Sequence, residues 1–125
     1  MVAKAEVANY LMDKIERLEA FEEKVGIRYD NISIIVDYSD FDENPWNIEV
    51  LGEIKEHENG NLANSKNRNI ENVVILYNAE NRIIESRTSS FAVRDYLGFT
   101  TFKVYISDLK SVKDIKKIRI YPKWV

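Results

Sequence analysis

The chain has 125 residues, and its 45% apolar and 31% charged residues are typical of one folded globular domain. It contains no cysteine, which excludes disulfide bonds, zinc–thiolate sites and thiol nucleophiles. The net charge is −3, but residues 1–60 carry 6 Lys or Arg against 15 Asp or Glu, whereas residues 61–125 carry 12 against 6. We expect a single domain over residues 1–125, with an N-terminal helix in 1–26 and a β-sandwich in 27–125.

The first residues lack the basic start and apolar core of a signal peptide, and no apolar run approaches the roughly 20 residues that cross a bilayer. We therefore expect a cytoplasmic protein with no membrane contact. An extracytoplasmic location stays open, because a chain that has lost its leader would look the same.

Residues 4–25 have the periodicity of an amphipathic helix. Leu11, Ile15, Leu18 and Val25 recur at helical spacings, and Gly26 is well placed to end the helix in a left-handed conformation. This apolar stripe needs a surface to bury against. The domain's own sheet is one such surface; a helix contact with a protein partner or with a second copy in a homodimer is the alternative.

After Gly26 the pattern changes from helical to alternating. Apolar residues on every second position predict strands near 32–38, 48–54, 70–77, 83–94, 102–106 and 118–121. A polar loop over 58–69 is expected to be a mobile excursion. Short strands with polar turns and no helices between them predict an antiparallel β-sandwich of about 6–7 strands.

Residues 48–52 followed by 70–84, with Val74-Ile75-Leu76-Tyr77-Asn78 before the turn at Asn81, resemble the FxLYD domains of bacteria and archaea. Phe102-Lys103-Val104 matches the final strand of that family, and the likeness covers roughly 46–122. The resemblance implies an immunoglobulin-like sandwich and brings no catalytic residues with it. Many members of the family are exported.

No group of residues in the sequence points to a particular chemistry. His57 is the one histidine, and Gly-x-Ser-x-Gly, P-loop and dinucleotide motifs are all missing. The acidic loop 37–44 begins like a calcium loop at Asp40-x-Asp42-x-Asn44. The sixth position of such a loop is a glycine, but here it is Pro45. Whether this loop binds calcium is therefore left open. The basic C-terminal stretch is explained by intramolecular pairing or solvent, and we expect no nucleic-acid partner.

Aromatic residues are the remaining signal. Seven tyrosines with Trp46 and Trp124 exceed what a small core uses, and exposed aromatics favour interfaces. We therefore expect a non-enzymatic protein-binding or assembly module of unknown partner, with Leu11, Ile15, Leu18 and Val25 as possible partner contacts. The alternative is an accessory domain that binds a small ligand or calcium through its strand-connecting loops. No catalytic, cofactor-binding or metal-ligating residue is predicted.

Overall fold

The computed structural model describes residues 4–125. Its helices and strands, in chain order, are α1 (Lys4–Met12), β1 (Ile15–Arg17), α2 (Glu19–Val25), β2 (Ile27–Tyr38), β3 (Trp46–Glu56), β4 (Asn69–Tyr77), β5 (Ile83–Ala92), β6 (Phe99–Leu109) and β7 (Lys117–Trp124), with short 3₁₀ turns at Leu62–Ser65 and Val93–Asp95. No helix in this part of the chain has the length and hydropathy to cross a membrane.

The strands form two sheets. One has four strands in the order β1-β7-β4-β5, and the other has three in the order β2-β3-β6. The strand pairings are antiparallel except that of β1 with β7, which is parallel. The predicted mainly β sandwich of about 6–7 strands with an N-terminal helix is therefore confirmed.

The order of β2 to β7 is that of an immunoglobulin-like sandwich. Strands β2, β3 and β6 occupy the places of A, B and E, while β5, β4 and β7 occupy those of C′, C and F. The usual last strand G would pair with F in an antiparallel direction. Here β1 lies in that place, in the parallel direction.

The single helix predicted over residues 4–25 is wrong, because the segment folds as helix, strand and helix. Lys14 N–H bonds to the Leu11 carbonyl to end the first helix, and Ile118 N–H then bonds to the Lys14 carbonyl at 2.8 Å. Pairing with β7 satisfies backbone groups that a continuous helix would otherwise satisfy internally, and a short helix has little stability of its own. Gly26 ends the second helix at φ +100°, as predicted.

The split helices close one side of the sandwich. Helix α1 packs on β2, and α2 contacts both β2 and β7. Leu11 (0% exposed) and Val25 (7% exposed) enter the same core as Ile34, Ile106 and Ile120 from the two sheets. The N-terminal segment is thus a wall of the domain.

A chain of buried polar bonds joins this wall to both sheets. Glu22 in α2 is almost fully buried, and its carboxylate accepts two bonds from Arg17 (3.1 and 2.7 Å) and one from the Tyr29 backbone N–H (2.9 Å). The Tyr29 hydroxyl in turn donates to Asn72 Oδ1 in β4 at 2.7 Å. Asn72 is buried as well and donates a long bond to Ser89 Oγ at 3.5 Å.

The polar loop over 58–69 is anchored, contrary to the expected mobile excursion. Leu62 lies in the 3₁₀ turn and is buried in the main core. Backbone bonds at both ends of the loop, from His57 N–H to the Gly26 carbonyl (2.9 Å) and from Val93 N–H to the Arg68 carbonyl (3.1 Å), hold it together with the buried Leu62.

Tyr29→Phe tests the bond between the sheets. Near neutral pH we expect the free energy of unfolding to fall by about 1–3 kcal/mol, because the buried Asn72 Oδ1 loses its hydrogen-bond donor. Burial raises the pKa of the Tyr29 hydroxyl, so above about pH 10 only the unfolded chain releases this proton. The stability of the wild type should then fall with pH by up to about 1.4 kcal/mol per unit from this group, whereas the variant lacks that loss.

The stability gap between wild type and Tyr29→Phe should therefore narrow above about pH 10, which urea unfolding at neutral and alkaline pH measures directly. A gap that is the same at both pH values would mean that the Tyr29 hydroxyl titrates in the folded protein as it does in water.

Candidate functional site

The four residues predicted to contact a partner are buried or half-buried within the domain itself. Leu11 and Val25 are buried in the core, and Ile15 is half-buried and packs against the same cluster. Leu18 is half-buried between β1 and α2. The stripe therefore offers no continuous exposed surface in this fold.

The acidic loop does not gather its side chains. Asp37 pairs with Lys4 at 3.0 Å, and this bond lowers the pKa of the Asp37 carboxyl, with help from the Tyr38 backbone N–H. The side chains of Asp40, Asp42 and Glu43 are exposed. Within residues 4–125 no three His, Cys, Asp or Glu side chains come together to hold a metal ion.

His57 has a local structural role. It is half-buried at the end of β3, and its Nδ1 accepts a bond from the Asn59 backbone N–H at 3.1 Å. The basic strand β7 is likewise paired within the molecule, since Arg119 bonds to Glu16 at 2.8 Å and Lys123 lies 3.7 Å from Glu71.

Two surfaces stand out instead, and the first is the outward face of the three-stranded sheet. We call it the open face and define it by Ile35, Glu49, Leu51, Lys103 and Tyr105. Ile35 in β2 and Tyr105 in β6 lie on either side of Glu49 in β3, and Leu51 follows on the same face one step along β3. Ile35 is 52% and Tyr105 is 55% exposed.

The open face mixes apolar and charged side chains, with Glu49 between Ile35 and Tyr105 and Lys103 opposite Leu51. Leu51 is diagonal to both Ile35 and Tyr105, within reach of long side chains on adjacent strands. Lys103 lies 3.7 Å from Glu49 across the strands. Further along, Asp30 bonds to Lys55 at 3.1 Å, and this bond is the main reason why the pKa of Asp30 is lowered.

The second surface is a groove of about 740 Å³, which we call the end groove. It lies at the end of the sandwich where β3 begins and β6 ends. Its apolar lining comes from Val7 and Tyr10 of α1, Trp46 at the start of β3, and Val112 in the β6–β7 loop. The charged and polar residues around it are Glu6, Lys110, Ser111, Lys113 and Asp114.

Tyr10 fixes the wall of the end groove. Its hydroxyl donates to the Ile115 carbonyl at 2.9 Å and accepts a bond from Lys116 Nζ at 3.2 Å, which ties α1 to the β6–β7 loop. Lys14 Nζ lies 5.0 Å from the centre of the same ring, a cation–π distance. Two lysine side chains, Lys14 and Lys116, therefore lie beside the Tyr10 ring.

Trp46 fixes the other wall. Its ring packs edge-on against Tyr38 at 4.8 Å between centroids. The β3–β6 register shifts between Trp46 and Ile48, and Asp108 opposite has φ +62°, with its N–H bonded to Asn47 Oδ1 at 3.1 Å. A bulge at a strand end commonly redirects a side chain, and here it leads β6 into the loop that lines the groove.

The sequence pointed to these surfaces only through its surplus of aromatics. Tyr10, Trp46 and Tyr105 come from distant parts of the chain, and only the packing of α1 and the register of β3 with β6 bring them to these surfaces. In addition, the alternating sequence pattern of a half-buried strand does not reveal whether its outer face is exposed or is covered by another protein.

Comparison with known proteins adds no further assignment. No protein family matches this chain, and neither curated proteins nor solved structures match it.

Tyr10→Phe tests whether the hydroxyl holds the β6–β7 loop against α1. We expect a loss of about 1 kcal/mol in the free energy of unfolding and faster amide hydrogen exchange in residues 110–116, because the bond to the Ile115 carbonyl is removed. Tyr105→Phe is the matched control, since its ring lies on the open face. Unchanged exchange in residues 110–116 of Tyr10→Phe would show that the loop is held by Val112 and Ile115 alone.

Proposed function

We propose that this chain is a non-enzymatic protein-binding or assembly module that contacts its partner through the open face. The observation that supports the proposal is the exposure of Ile35 and Tyr105 on either side of Glu49, with Leu51 next to Glu49 along β3, on the outward face of the three-stranded sheet. The inner face of the same sheet is fully used by the core.

The composition of this surface suits a protein interface. An interface core is rich in aromatic and apolar residues and poor in charge, and its rim is polar. Tyr105 is the type of residue that dominates binding energy, because a large ring is buried at a small entropic cost. The pair of Glu49 and Lys103 is half-exposed and adds orientation more than affinity.

An edge strand is the other surface that sandwiches offer to partners. Strand β5 pairs with β4 on one side, and its outward side chains are Ser86, Thr88 and Ser90. An added strand there would gain backbone bonds and little side-chain contact. The open face offers both apolar area and specific neighbours, so we prefer it.

The alternative function, a small-ligand or calcium-binding accessory domain, has one observation in its favour. The end groove has a volume within the range of about 300–1,000 Å³ that is common for ligand sites. For calcium the described residues offer no comparable feature, since their acidic side chains do not converge.

The double substitution Ile35→Ser with Tyr105→Ser tests the open face. Both side chains are half-exposed, so we expect a folded domain with a thermal midpoint close to that of the wild type. A protein that copurifies with the tagged wild type from the source cells should be lost, because the two large exposed apolar side chains of the contact are gone.

Ile83→Ser is the matched control. Ile83 is an exposed apolar residue at the start of β5, on the other sheet, and its substitution should leave the copurifying protein in place. Recovery of the same protein by all three chains would contradict the proposal that the open face is the contact surface.

A further inference from the structure

Phe41 is the most exposed large apolar side chain among residues 4–125, at 99% of its full accessible area. It lies in the β2–β3 loop between Asp40 and Asp42, with Glu43 close behind. Burial of a phenylalanine side chain stabilises a protein or a complex by roughly 1.5–3 kcal/mol, and an exposed phenylalanine lacks this contribution.

The loop that carries Phe41 has a closed base. Ser39 N–H bonds to the Pro45 carbonyl at 2.9 Å, and Asp42 N–H bonds to the Ser39 carbonyl at 3.3 Å. These bonds hold residues 39–45 as a compact turn that presents Phe41 at its tip. We call this segment the acidic tip.

The end groove has the complementary chemistry. Its floor is apolar, with Val7, Trp46 and Val112. Lys110 and Lys113 lie at its border, and Lys14 and Lys116 are placed around the ring of Tyr10. Within the lining, Glu6 and Asp114 offset Lys110 and Lys113, so the additional positive charge near the groove comes from Lys14 and Lys116 beside Tyr10.

The acidic tip and the end groove are neighbours at one end of the sandwich. Trp46, which lines the groove, follows the tip directly in the chain. Phe41 nevertheless does not enter the groove of its own molecule, since it is almost completely exposed. When a tip and a groove lie side by side on one molecule, a second molecule related by a two-fold axis can place its tip in that groove and receive the first molecule's tip in its own.

We propose that the end groove binds the acidic tip of a second copy of this chain, with Phe41 inserted over Trp46 and the carboxylates beside Lys110 and Lys113. Because the contact is reciprocal, one two-fold dimer buries both Phe41 side chains. Each buried ring contributes about 150–250 Å² of area, so the interface is small and the dimer is weak and concentration-dependent. This inference stands independently of the open face.

Sedimentation equilibrium of the full chain over a range of concentrations tests the dimer. We expect reversible dimerisation that weakens as salt is added, because exposed charges are screened. Phe41→Ala should raise the dimer dissociation constant by at least about tenfold, as expected for a central aromatic anchor. Its thermal midpoint measured on the dilute monomer should stay unchanged, because Phe41 is solvated in the single chain.

Leu97→Ala is the matched control for Phe41→Ala. Leu97 is 92% exposed in the loop before β6, at the opposite end of the sandwich, and its loss should leave the dimer intact. The charge reversal Lys110→Glu with Lys113→Glu should weaken the dimer as Phe41→Ala does.

A wild-type chain that stays monomeric at the highest soluble concentration would overturn the inference, and so would a dimer that survives Phe41→Ala. A dimer that is lost in Ile35→Ser with Tyr105→Ser but kept in Phe41→Ala would also overturn it. That last pattern would place self-association on the open face, which separates this inference from the proposed function.

Discussion

The buried carboxylate of Glu22 is the constraint on which the arrangement of this domain depends. This carboxylate lies in α2 and joins three elements, because it accepts hydrogen bonds from Arg17 in β1 and from the backbone N–H of Tyr29 in β2. Removing one member of such a buried pair leaves an uncompensated charge, which is expensive inside a protein. The hydrogen bonds to Glu22 raise the pKa of the Arg17 guanidinium. From Tyr29 the connection continues to Asn72 in the opposite sheet.

This constraint determines which surfaces are left for binding. With β1 and α2 fixed, α1 is held against β2, Leu11 fills the core and Tyr10 forms a wall of the end groove. A helical stripe that could have met a partner is thereby consumed by the fold. The proposals for this protein rest on two groups of accessible apolar side chains, those of the open face and Phe41 of the acidic tip. Binding residues commonly lie on loops and faces that a rigid scaffold positions.

The sequence predicted the class of fold but not its N-terminal wall. Alternating apolar residues identify strands whatever their neighbours are, so the sandwich, the left-handed Gly26 and the positive φ of Asn81 followed from local rules. The break after Met12 did not follow, because Ile15 fits a helical stripe as well as a strand and its choice is made by pairing with Ile118 far along the chain. The candidate surfaces could not be predicted for the same reason, since Tyr10, Trp46 and Tyr105 come together with their neighbours only through tertiary contacts. A buried Glu22 within an acidic helix has no local signal at all.

Native-state hydrogen exchange tests most directly whether residues 4–25 are a fixed wall of the sandwich. The amides to follow are those of Leu18 and Ile118, which bond across the β1–β7 boundary, with the amides of β4 as the reference. If the wall is part of the core, all of them should exchange with the same opening free energy, within about 1 kcal/mol. Much faster exchange at Leu18 and Ile118 than in β4 would contradict this account. The N-terminal segment would then detach under native conditions, and its apolar stripe would be available to a partner after all.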